Sequence, residues 1–119
     1  MKQEYKDLLL QELCGRLPYG VQGYVNDRVV TLQGVNIMDS IVEYDIYCSS
    51  AIDEFTPYLF PLSSMTRQQK VELSMLVVGV EDIFKSFLIE VEFYHKHHID
   101  YRGLIPMGLA IDATGLNIY

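Results

Sequence analysis

The stretch YGVQGYVNDRVVTLQG, residues 19–34, restricts this chain more than any other. Two runs rich in Val and Tyr flank Asn26-Asp27. Both turn residues tolerate the positive φ that a two-residue hairpin turn requires. The spacing therefore predicts a β-hairpin near residues 20–34. The next run, IVEYDIYC at 41–48, supplies a third strand. Val42, Tyr44, Ile46 and Cys48 share one face, and Glu43, Asp45 and Tyr47 the other. Such alternation marks an antiparallel sheet with one wet face. LAID at 109–112 adds a short terminal strand, giving three to four in all.

Helical periods flank this sheet. In residues 2–14, Tyr5, Leu8, Leu9 and Leu13 recur at helical spacing. Gly15 is expected to stop that helix, and Pro18 to forbid its continuation. Thr66 and Gln69 fit a capping box that opens a helix over about 66–78, and Gly79 breaks it. A further helix is expected over about 81–97. Its apolar seam runs through Phe84, Leu88 and Val91 into His95 and His98, with Phe87 and Tyr94 alongside. Residues 49–65 read as a long connection, in which Pro57 and Pro61 keep the chain extended. Asp100 is placed to cap a short turn that Gly108 ends, with Pro106 limiting it to a brief or 3₁₀-like turn. The expectation is one α+β domain over residues 1–119. A small antiparallel sheet packs on an N-terminal helix and two longer ones.

Charge narrows the function. Sixteen acidic residues against nine basic ones give a net charge of -7, with no run of like charge. Phosphate-backbone binding needs clustered Lys and Arg, so no nucleic-acid partner is expected. LSMLVVGVEDIF, the most apolar stretch, is cut by Glu81 and Asp82 and is not expected to span a membrane. The N-terminal residues lack the apolar core of a signal peptide, and Cys14 and Cys48 form no CxxC pair. A cytoplasmic protein with reduced thiols is expected.

The stretch HKHHIDYR, 95–102, carries most of the candidate chemistry. Metal ligands on one helix favour i, i+4 spacing, as in HExxH, whereas Glu92, His95 and His98 run i, i+3, i+6. His95, His98 and Asp100 thus make a weak metal set. No metal or other cofactor is expected. Histidines ending a helix also complement its dipole. Asp100, Tyr101 and Arg102 form a polar knot at a chain turn. Arg102 is able to fork onto Asp100 or onto a carboxylate elsewhere, clamping the C-terminal segment to the helix end. The cysteines lack a nucleophile motif, Ser63-Ser64 read as helix caps, and there is no GxSxG or phosphate-binding glycine loop. Glu43 and Asp45 read as solvated strand carboxylates.

LPYGV at 17–21, PYLFPLSSMT at 57–66, HHIDYRGLI at 97–105 and GLAID at 108–112 together resemble an uncharacterised family of small proteins from gut anaerobes and their phages. Where that pattern has a basic residue the chain has Phe60, and where it has a charged one the chain has Pro106. The resemblance implies no activity. It implies a mobile-element context, and with it a binding role, such as modulating a host protein or sequestering a small molecule.

The expected function is non-catalytic binding, to a protein partner or to a second copy. Nine tyrosines suit an interface as well as a core. The alternatives are a small metal- or ligand-binding enzyme centred on His95, His98 and Asp100, and a phage counter-defence protein that occupies a host factor.

Overall fold

The computed structural model describes residues 1–45 and 47–119. Helix α1, Gln3–Arg16, precedes strands β1, Gln22–Val25, β2, Arg28–Asn36, β3, Ile41–Tyr44, β4, Cys48–Ala51, and β5, Thr56–Pro61. Helices α2, Arg67–Val77, and α3, Ile83–Lys96, follow, then the two-residue strands β6, Ile99–Asp100, and β7, Ile111–Asp112. The chain is α+β. Among the described residues the sheet has seven strands, ordered β4-β3-β2-β1-β5-β6, with β7 also on β5. Three to four strands understated it.

The hairpin forms as its sequence dictates. Asn26 and Asp27 take φ 50° and 63°, and Val25 pairs with Arg28. The third strand does not run through 41–48. Asp45 and Tyr47 take positive φ, so the chain reverses there and β4 returns along β3. Ile46, assigned above to the inward face, lies outside the described residues. Tyr47 is fully exposed at the turn.

The connection at 49–65 is the largest correction. It holds β4 and also β5, a strand paired on both edges. β5 meets β1 antiparallel at Thr56–Pro57, β6 parallel at Phe60–Pro61 and β7 parallel at Tyr58–Leu59. The Phe60 amide and the Leu59 carbonyl point to opposite edges and bond to the β6 and β7 sides respectively. The sheet is therefore mixed. Prolines normally argue against a paired strand because they donate no ladder bond. Here they sit near the two ends of β5, and the amide between them that reaches β6, on Phe60, donates to the His98 carbonyl at 2.8 Å.

Gly15 does not end α1, which continues through Arg16 into a 3₁₀ turn at Leu17–Tyr19. Gly20, at φ 68°, reverses the chain instead. Leu9, Leu10 and Leu13 of α1 join Val21, Val25, Leu32, Val42 and Phe55 in the core. Gly23 is essential to that packing. A Cβ on it would lie 2.1 Å from the buried Phe55 ring.

The capping box forms in full: Gln69 N donates to Thr66 Oγ1, and Thr66 N donates to Gln69 Oε1. Ser63 and Ser64 do not cap α2; Ser64 Oγ donates to the Pro61 carbonyl. Asp82 caps α3 by accepting from Phe84 N and Lys85 N. No residue of α2 is fully buried, and α3 buries only Phe93 and His95. The apolar period of α3 is as expected, but its first turns are uncovered. Ile83, Phe84, Phe87 and Leu88 are 79%, 77%, 58% and 64% exposed. The helical hairpin is an arm that projects apolar surface. No helix among the described residues is long and apolar enough to cross a membrane.

Candidate functional site

The three histidines face three different neighbours. His95, on the last turn of α3, is buried, and its Nε2 lies 3.0 Å from the Tyr101 hydroxyl. Burial, then the Arg16 guanidinium, lowers its pKa, while Glu12 opposes them. His97 caps the helix and packs on Phe93, ring centroids 4.4 Å apart. His98 has left the helix, at φ 59°, and lies flat on Tyr119 at 3.6 Å. It does not extend the seam of α3. Burial, aided by Arg16 and His97, pushes its pKa down to about 4. Among the described residues, no three His, Cys, Asp or Glu side chains are grouped to hold a metal ion.

Asp100 is fully engaged. Its two carboxylate oxygens accept from Leu104 N and Ile105 N, both at 2.9 Å. Those bonds start the turn that Gly108, at φ 77°, closes. Arg102 does not pair with Asp100. It reaches α1, where its Nε lies 2.6 Å from Glu12 Oε1.

Glu12 and Arg16 are the residues that the sequence reading missed. Both are buried, at 2% and 0% exposure. Arg16 Nε donates to Glu12 Oε2 at 3.0 Å, and Arg16 Nη2 to the Ile99 carbonyl at 2.7 Å. Tyr101 donates its hydroxyl proton to Glu12 Oε1 at 3.2 Å. That hydroxyl also lies 3.0 Å from His95 Nε2, in a hydrogen bond whose direction follows the imidazole tautomer. Burial raises the Tyr101 pKa, consistent with a hydroxyl that stays protonated. One carboxylate thus gathers two arginines and a tyrosine, tying α1 to the segment after α3. A signal for this did exist. Arg16 falls seven positions after Leu9, on the seam that buries Leu9 and Leu13, and Glu12 precedes it by four.

Gly15 belongs to the same packing. A Cβ there would stand 2.7 Å from His95 Cε1. Alanine in a helix interior normally stabilises by about 1 kcal/mol relative to glycine. Gly15→Ala is nonetheless expected to destabilise, by about 1–2 kcal/mol, because overpacking outweighs propensity. In a His95→Ala background the same change should turn stabilising. Urea melts of the four proteins check the sign reversal. A stabilising Gly15→Ala in the wild-type background would refute the clash.

Beside the histidines lies an open groove of about 300 Å³, lined in part by Phe60, Ser64, Thr66, Gln69, His97 and Thr114. The buried His97 Nε2 has no hydrogen-bond partner among the described residues. Segments 57–66 and 97–105 meet here.

The arm is the second feature of the surface. At 100° per residue, Gln69, Leu73 and Val77 of α2 share one half-buried face, and Val71 and Met75 share the exposed one. On α3, Ile83, Phe84, Phe87, Leu88 and the half-buried Val91 make one continuous seam. Compared with family models, curated proteins and solved structures, the chain matches none.

Proposed function

We propose that the protein acts by non-catalytic binding, docking the α2–α3 arm against another polypeptide surface. One observation carries this reading: four large apolar side chains on one seam of α3 are each more than half exposed. Side chains of this kind span roughly 150–250 Å² each, so the seam offers on the order of 550 Å² of apolar surface. That is at the upper end of the largest patches on ordinary monomers, which are often functional. Covering one such side chain is worth about 1.5–3 kcal/mol, a strong drive toward a partner. The buried network around Glu12 supports the same reading. Its one carboxylate pairs with both arginines and the tyrosine hydroxyl, and so fixes the base of the arm. The modulating role implied by the sequence resemblance also agrees with it.

The test is a photo-crosslinking residue at Phe87, in cells producing the protein. A discrete adduct is expected, and none from the same residue at Met38, which is more exposed still. Equal, diffuse labelling at both positions, or none at Phe87, would sink the reading.

A further inference from the structure

We infer that the occupant of the seam is a second copy of this chain, paired antiparallel through α3 about a two-fold axis between Leu88 and Ile89. The inference rests on the binding role just proposed and names its partner.

Charge selects the partner. Residues 66–97 contain four basic side chains, Arg67, Lys70, Lys85 and Lys96, and five acidic ones, Glu72, Glu81, Asp82, Glu90 and Glu92. The arm therefore carries -1 of the total -7, and -6 lies elsewhere. Two copies that approach through their bodies repel, whereas two arms meet nearly neutral.

Charge also selects the register. Lys85, Glu92 and Lys96 are exposed and lie within about 40° of one another around α3, beside the seam. Glu81 and Asp82 stand at its N-terminal end. An antiparallel two-fold centred between Leu88 and Ile89 sets Lys85 of each copy against Glu92 of the other. It also sets each Lys96 against the acidic start of the partner helix. A parallel pairing would align like charges instead. The antiparallel arrangement opposes the helix dipoles, which is the favourable sense.

The seam agrees with that register. Leu88 meets Leu88, and Phe84 of one copy falls between Val91 and Tyr94 of the other, where the seam enters the body. The apolar area of about 550 Å² per copy, with this charged rim, approaches the roughly 800 Å² per partner of a standard interface. A lipid surface fits less well. Interfacial helices carry Lys and Arg in excess on the polar face, and here acids exceed bases.

Sedimentation equilibrium of the full chain tests the pairing. The expected mass is twice 13.7 kDa, dissociating on dilution. Lys85→Glu places like charges together twice per dimer and should weaken association at least tenfold. Glu92→Lys should do the same. The double variant Lys85→Glu/Glu92→Lys restores both pairs and should return to within about threefold of wild type. Phe84→Asp, at a side chain 77% exposed, should give a folded monomer whose melt no longer depends on protein concentration. A monomer at every concentration overturns the inference, as does a dimer indifferent to Lys85→Glu or one the double variant fails to restore. In the crosslinking experiment above, an adduct of any mass other than the doubled one keeps the binding role and overturns the second copy.

Discussion

Glu12→Ala should lower unfolding free energy by about 3–5 kcal/mol, the largest single loss expected in this protein. The substitution leaves Arg16 fully buried with its charge uncompensated. It also strips Tyr101 and Arg102 of their shared acceptor. Natural domains hold only about 5–15 kcal/mol in total, so the variant should be marginal. The loss comes from stranding a charge, not from deleting a strong bond. Removing the charge as well is the control. Glu12→Ala/Arg16→Met replaces the buried pair with apolar atoms and should recover much of the deficit, although the Ile99 carbonyl then loses its donor. Urea denaturation of both variants decides it. A double variant no more stable than Glu12→Ala would mean that Arg16 is not the source of the cost.

Asp100→Ala should cost about 2–4 kcal/mol. Two backbone amides, Leu104 N and Ile105 N, lose their only acceptors in a segment where Leu104 is fully buried. Each stranded donor costs about 1–3 kcal/mol. Asp100→Asn keeps one acceptor oxygen and should lose about half as much. Amide hydrogen exchange localises the effect, because Leu104 and Ile105 should exchange faster in Asp100→Ala while Val30 and Val42 do not. Uniform acceleration across the sheet would point to global loss instead. Neither substitution touches the exposed seam of α3, so association through it should survive wherever the variants remain folded.

What the chain declared in advance follows from how local each feature is. The Asn26-Asp27 turn, the Thr66–Gln69 box and the Asp100 cap each need only a few neighbouring residues, and all three are present. β5 was hidden because Pro57 and Pro61 have the signature of a connection, and only their place near its ends makes pairing possible. β6 and β7 are two residues each, too short to show alternation. Cys48-Ser49-Ser50-Ala51 has little strand propensity and is held in β4 by the turn before it. Glu12 and Arg16 look like a solvated helix pair, since i, i+4 charges usually face water. Their burial depends on Ile99 and Tyr101, far along the chain. The seam of α3 was legible as a period, but a period does not say what covers it.

The double pairing of β5 has a consequence for how the molecule is made. During synthesis, β1 through β5 emerge as an antiparallel set whose last strand has a bare edge at Tyr58 and Leu59. That edge stays open until residues 111–113 leave the ribosome, and it is the kind of exposed ladder that recruits other chains. The delay is shortened in space by the helical arm. α2 and α3 are local structures that fold back on themselves and return the chain beside β5 without a long floppy loop to close. The arm is thus a spacer in time as well as a surface. It lets the β5 side of the sheet be its last part to be completed.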